Sequence, residues 1–135
     1  MIRPVAGIVL GVLLLAACGS ADEAPAPPTV APDLEISMFE WGFGPSVVEF
    51  TAGDTVTLRI RNDGGVLHEW AVLDEPIVAE PEYDAGNALI LVSAVQPGSA
   101  VTIEFTVPDA GTYQFICPIS GHLSQGMVGT LVAVP

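Results

Sequence analysis

Basic side chains are scarce in this sequence. Its 135 residues include three lysines and arginines against sixteen aspartates and glutamates, and the formal net charge is -13 at pH 7. Proteins that bind nucleic acids need cationic side chains to neutralise phosphates, so we exclude nucleic acids as partners. The excess of acid favours solubility and, at low ionic strength, the steering of a basic partner.

Cysteine, histidine and methionine are also rare. The sequence has two cysteines, three methionines and two histidines. Cys18 belongs to an N-terminal motif described next, which leaves Cys117 without a disulfide partner in the chain and excludes a disulfide framework. The remaining sulfur and imidazole groups are nevertheless concentrated. The segment FICPISGHLSQGM holds Cys117, His122 and Met127 at equal intervals of five residues.

The N-terminal residues have the pattern of an export signal followed by a linker. Arg3 precedes the apolar run GIVLGVLLLAA, which is too short to span a bilayer comfortably, and the run ends in LAAC. This ending resembles the lipobox of bacterial lipoproteins, whose cysteine is lipidated. We predict a signal peptide at 1–17, a lipidated Cys18 with an Ala/Pro-rich tether at 18–33, and one domain at 34–135. The alternative is an ordinary signal peptide with an incidental cysteine.

Apolar and polar side chains alternate in several segments of the domain. TVTLRIRN and AVTIEFTV each place every second residue on an apolar face, and turns such as AGD, NDGG and QPGS separate the segments. The apolar face of AVTIEFTV holds Val101, Ile103, Phe105 and Val107. About seven or eight strands at this spacing predict an all-β fold, a two-sheet Greek-key β-sandwich. Residues 74–87 interrupt the pattern and predict a long connection with a short helical turn.

The alternation also places the rare side chains. In GTYQFIC, Cys117 shares a face with two aromatic residues, and in LHEW His68 shares a face with Trp70, so both should point into the core. A loop follows Cys117, and Met127 stands at the start of the last strand, MVGTLVAV. Four side chains can then meet at one end of the sandwich: His68, Cys117, His122 and Met127.

Two imidazoles, one thiolate and one thioether form a ligand set for copper. Soft sulfur ligands suit copper, and two His with one Cys and a weak axial Met is the blue-copper set. Zinc is the main competitor, but zinc sites use Cys, His and carboxylate ligands. Iron–sulfur clusters and dinuclear copper centres need more cysteines than this loop offers. Without a metal, Cys117 and His122 could form a nucleophile and base pair, and His68 and Met127 could simply pack in the core.

The ligand segments resemble the cupredoxins, the family of plastocyanin and azurin. YQFICPISGHLSQGMVGTLVAV is similar to the family's C-terminal ligand loop. FGPSVVEFTAGDTVTLRIRNDGGVLHEWAVL is similar to its first half, with Asn62 at the strand end and His68 as first ligand. The resemblance covers most of residues 36–134 and implies an eight-stranded sandwich with one type 1 copper. Glu69 departs from the family, because many members have an asparagine there that ties the ligand loops together.

The resemblance implies a function as well. In the family the histidine of the C-terminal loop reaches the surface through an apolar patch; here His122 is flanked by Pro118, Ile119 and Leu123, where we expect the redox partner to dock. We predict a monomeric electron carrier, not an enzyme, anchored by lipid on the extracytoplasmic side of the cell membrane. Its partners would be redox proteins such as a basic cytochrome or a membrane oxidoreductase. A copper-binding and trafficking protein is the alternative, and an adhesion module without metal is a third hypothesis.

Overall fold

Nine strands form the part of the chain that the computed structural model describes, residues 33–135. The strands are β1 (Leu34–Phe39), β2 (Gly42–Gly44), β3 (Val47–Thr51), β4 (Thr55–Asn62), β5 (His68–Leu73), β6 (Ala88–Val95), β7 (Ala100–Thr106), β8 (Gly111–Ile116) and β9 (Val128–Val134). They make a four-stranded sheet in the order β2-β1-β4-β7 and a five-stranded sheet in the order β3-β9-β8-β5-β6. The prediction of an all-β, two-sheet sandwich is confirmed, with the short strand β2 in addition.

The N-terminal predictions lie outside this region. The signal peptide at 1–17, the lipidation site Cys18 and all but the last residue of the tether at 18–33 fall among residues that the structure does not describe. Within residues 33–135, no helix has the length and apolar character needed to cross a membrane.

The main core lies between the two sheets and follows the predicted alternation. In the central strand β4, Val56, Leu58 and Ile60 are buried, and they pack with Trp70 and Phe115 of the other sheet. Strand β7 lies at the edge of its sheet and has a neighbouring strand, β4, on one side only. Its inward side chains are therefore not all buried, and Val101, predicted to face the core, is 37% exposed.

A second, smaller apolar cluster lies on the opposite face of the five-stranded sheet. Its buried members are Ala71, Leu73, Ile77, Ile116 and Leu123. The connection between β5 and β6 supplies Ile77, so this long segment covers the sheet instead of extending into solvent. The predicted helical turn in 74–87 is present as two short 3-10 turns, Glu80–Glu82 and Ala85–Asn87.

Strand pairing brings three loops to one end of the sandwich. β1 runs parallel to β4 with Met38 opposite Asn62, so the loops that follow these two strands leave the four-stranded sheet side by side. β5 pairs with β8, and β8 pairs with β9. The loop between β8 and β9 therefore lies beside the start of β5, where His68 is located.

Candidate metal centre

The four predicted ligand residues lie where strands begin or end. His68 is the first residue of β5, Cys117 follows β8 directly, and Met127 precedes β9 directly, with His122 in the loop between them. The side chains of His68, Cys117 and Met127 are fully buried, and His122 is 7% exposed. The sandwich thus places all four at one end, beneath a nearly closed surface.

Two histidines and the cysteine converge on one point. Their ligand atoms all lie within 4.8 Å of one another. Cys117 Sγ is 3.2 Å from His122 Nδ1, and the centroids of the two imidazole rings are 5.1 Å apart. The three side chains could therefore hold one metal ion. Metal bonds to nitrogen and sulfur are about 2.0–2.3 Å long, so an ion can bind Cys117 Sγ and His122 Nδ1 at their present separation.

The backbone of Met127 holds the ligand loop closed. Its N–H donates to the carbonyl of His122 at 3.0 Å, and its carbonyl accepts from the N–H of Cys117 at 3.2 Å. Gly121 and Gly126 have φ angles of 89° and 99°, a region that side chains other than glycine enter at a cost. These turns let a short loop return the chain from β8 to β9 while its ends remain adjacent.

The sulfur of Cys117 receives a hydrogen bond from the other ligand segment. The backbone N–H of Glu69 donates to Sγ at 3.3 Å. Burial raises the pKa of the Cys117 thiol, whereas the backbone N–H groups of Glu69 and Ile119 act to lower it. The Glu69 side chain turns to β6, where it accepts from the Ala94 N–H at 3.3 Å. The two ligand segments are therefore tied through the backbone of Glu69.

Asn62 organises the loop that leads to His68. It is fully buried, and its side-chain amide donates to the carbonyls of Val66 at 2.7 Å and Val95 at 2.8 Å. Its side-chain oxygen accepts from the Gly64 N–H at 2.9 Å. These three bonds satisfy buried groups that would otherwise cost about 1–3 kcal/mol each. Asn62 thus holds the turn before β5 and with it the position of His68.

The environment of His68 includes a side chain that sequence reasoning did not find. Its Nε2 is 3.3 Å from Oε1 of Glu40, in the loop between β1 and β2. Its Nδ1 is buried and has no hydrogen-bond partner among residues 33–135. No motif in the sequence marks Glu40, because the contact depends on the pairing of β1 with β4.

Trp41, the next residue, was missed for the same reason. Its ring makes edge contacts with both imidazoles, at centroid distances of 4.6 Å to His122 and 6.3 Å to His68. The ring is 38% exposed. It therefore separates the histidines from solvent and reaches the surface itself.

The predicted docking residues do not share one environment. Pro118 and Ile119 are half-buried near His122, and the Ile119 carbonyl accepts from the His122 N–H at 3.0 Å. Leu123 was expected on an exposed patch, but it is 8% exposed and belongs to the smaller cluster behind the five-stranded sheet. The expectation was wrong because the loop turns at Gly121 and carries Leu123 away from the ligand side.

The donor set fits one copper ion. Two imidazole nitrogens and a cysteine sulfur lie within bridging distance, and Met127 adds a buried thioether next to Cys117 and His122 in the loop. Nδ1 of His68 is buried without a hydrogen-bond partner among residues 33–135, so its lone pair is available to a metal ion. A bound metal would also offset the cost of burying this polar atom without a partner. Soft sulfur with imidazole suits copper.

Comparisons with known proteins identify the family. The cupredoxin-like domain family matches residues 7–133. Copper-resistant cuproprotein CopI of Pseudomonas aeruginosa is 26% identical over 178 residues, covering 98% of this chain and 96% of that protein. Auracyanin-A of Chloroflexus aurantiacus is 32% identical over 106 residues, covering 64% of this chain and 65% of that protein.

Solved structures show the same architecture. The structure of auracyanin A, described as a "blue" copper protein, matches with a TM-score of 0.64 at 27% identity over 76% of this chain and 99% of that chain. The auracyanin of Roseiflexus castenholzii matches with a TM-score of 0.68 at 23% identity, over 76% and 96% of the two chains. With a family match over nearly its whole length and this fold, the chain belongs to the cupredoxin-like domain family.

Proposed function

We propose that this protein is an electron carrier that holds one type 1 copper ion with His68, Cys117 and His122, and with Met127 as a weaker fourth ligand. The observation that carries the proposal is the convergence of the three ligand atoms within 4.8 Å from two separate segments of the chain. Copper bound there would supply one-electron exchange between its two oxidation states.

The rest of the chain would keep the ligands in place and keep water out. His68 and Cys117 are fully buried, and the Trp41 ring covers both imidazoles. The hydrogen bond from the Glu69 N–H to Cys117 Sγ stabilises negative charge on the sulfur and fixes its position. A rigid site that excludes water would limit the rearrangement of the ligands when copper gains or loses an electron.

Copper handling without electron transfer is the second candidate. It is favoured by the similarity to CopI, a copper-resistant cuproprotein, which covers 98% of this chain. The similarity to auracyanin A, a "blue" copper protein, supports the carrier. The buried ligands also favour the carrier, because a protein that hands over its metal needs ligands that a recipient can reach.

Voltammetry of the copper-loaded protein separates these two functions. We expect a reversible one-electron wave and no loss of copper to a competing chelator during repeated cycles of reduction and oxidation, because the ligand set is enclosed. Irreversible reduction, or release of copper in every cycle, would contradict the carrier and support trafficking. The metal-free protein is the control for signals that do not come from copper.

A partner would dock at the apolar surface over the copper site. Trp41, Pro118 and Ile119 are partly exposed, and each lies beside His122 in space or in sequence. Acidic side chains far outnumber basic ones in the chain, and both arginines of the described region are already paired, Arg59 with Glu35 at 2.8 Å and Arg61 with Asp63 at 2.7 Å. This charge supports a basic redox protein, such as a cytochrome, as the partner.

Electron exchange with a basic cytochrome c tests the docking surface. We expect Ile119→Asp to slow the exchange by about tenfold, because the charge must be desolvated in an apolar contact. Val78→Asp adds the same charge at a residue that is 87% exposed on the β5–β6 connection, and it should leave the rate unchanged. Equal rates for the two variants, with unaltered copper spectra, would contradict docking at this surface.

The N-terminal pattern supports a proposal for the cellular location. The LAAC motif with Cys18 supports lipid anchoring on the extracytoplasmic side of the membrane, and the Ala/Pro-rich stretch supports a tether for a monomeric domain. Mass spectrometry of the mature protein from bacterial membranes checks the anchor: the N-terminal peptide should begin at Cys18 and carry lipid.

A further inference from the structure

We propose that Glu40 is a positioning residue for His68: its carboxylate accepts a hydrogen bond from Nε2–H and so leaves the Nδ1 lone pair free to bind the metal. This inference rests on the proposed copper function. An ionised carboxylate can only accept hydrogen bonds, so the 3.3 Å contact requires the proton on Nε2. In a neutral imidazole Nδ1 is then unprotonated, and this is the buried atom without a partner in the described structure.

The carboxylate is itself held in place. Its Oε1 also accepts the N–H groups of Gly65 at 2.8 Å and Val66 at 3.0 Å, both in the loop between β4 and β5. Together with the contact to His68 Nε2, these bonds fix the carboxylate directly behind the first predicted ligand.

Two consequences follow for the metal. The hydrogen bond makes the imidazole a better donor, and the negative charge stabilises copper(II) more than copper(I). Partners of this kind typically change metal affinity by about 10- to 100-fold when they are removed. A tenfold loss confined to copper(II) corresponds to a rise in reduction potential of about 59 mV for one electron.

A substitution at Gly64 can displace the carboxylate of Glu40 while Glu40 itself is retained. A Cβ at Gly64 would lie 2.5 Å from Oε1 and 2.8 Å from Oε2 of Glu40, so the carboxylate would have to move. A Cβ at the neighbouring Gly65 would meet nothing within 4 Å. Gly64→Ala and Gly65→Ala are therefore a matched pair, of which only the first disturbs the contact with His68.

The experiment combines three variants with two measurements. Glu40→Gln keeps an acceptor for the loop but removes the charge, so the reduction potential should rise while the fold is retained. Gly64→Ala should shift the potential in the same direction and lower the copper(II) affinity by about tenfold, within the range typical of such partners. Gly65→Ala keeps the backbone N–H that donates to Glu40 and adds its methyl group in open space, so it should match the wild type in both measurements.

Nitrogen NMR of the metal-free protein in alkaline buffer reports the tautomer of His68 independently of copper. The proposal expects the Nε2–H form in the wild type and a loss of this preference in Gly64→Ala. It is overturned if the wild type shows the Nδ1–H form, or if Glu40→Gln and Gly64→Ala leave both potential and tautomer unchanged. A wild type with the expected tautomer but no reversible copper wave would refute the electron-carrier function and leave the role of Glu40 in orienting His68 intact.

Discussion

Replacing Cys117 with serine is expected to abolish the intense blue absorption of the copper(II) protein completely. That colour arises from charge transfer between a thiolate and copper, and Cys117 is the cysteine within reach of both histidines. A serine hydroxyl has nearly the same size but no low-lying sulfur electrons to transfer. The visible spectrum recorded during titration of the metal-free protein with copper(II) measures the effect.

The fold should survive this substitution. A serine oxygen can accept the N–H of Glu69 that now points at Sγ, so the free energy of unfolding should change by no more than about 2 kcal/mol. Met127→Leu is the matched control, because it removes the other sulfur of the loop and keeps the thiolate; it should still turn blue. A blue Cys117→Ser protein would mean that the copper lies elsewhere and that the proposed function is wrong.

Gly129→Ala is expected to produce the largest loss of stability. A Cβ at this position would overlap the ring of Phe115 and lie 2.6 Å from the Ser46 carbonyl oxygen. Phe115 is fully buried and cannot move aside, and the Ser46 oxygen already accepts the N–H of Thr130 at 2.8 Å. Overpacking of this kind costs about 3 kcal/mol, which lowers the melting temperature by roughly 10–20 °C.

Two further variants test the steric cause. Gly65→Ala adds the same methyl group in open space and should leave the melting temperature unchanged or raise it slightly. Combining Gly129→Ala with Phe115→Leu should cost less than the sum of the two single changes, since the shorter side chain relieves part of the overlap. Thermal unfolding of the metal-free proteins measures all of them. If Gly129→Ala and Gly65→Ala have the same melting temperature, the contact with Phe115 is not as tight as the structure shows.

The sandwich was predictable because its strands carry their own pattern. A period of two in TVTLRIRN identifies β4 and its buried face without knowledge of its neighbours, and the bounds Thr55–Asn62 coincide with that segment. The inward direction of His68 followed in the same way from its spacing to Trp70, and both side chains are fully buried. The resemblance to cupredoxins, which the two ligand segments carry, is confirmed by the family match.

Pairing and loop direction could not be predicted in this way. Glu40 and Trp41 reach the histidines because β1 lies parallel to β4 with Met38 opposite Asn62, a register between residues far apart in the chain. Leu123 stands next to His122 in sequence, yet it packs behind the five-stranded sheet, because turns in the loop abolish the alternation of a strand.

Alternation, spacing and ligand chemistry are local properties, so the class of fold and the four candidate copper ligands could be predicted from the sequence alone. The tertiary structure decided which groups surround those ligands: Glu40 behind His68, Trp41 over both imidazoles and the Glu69 N–H on Cys117. These contacts join segments that only the pairing of strands brings together.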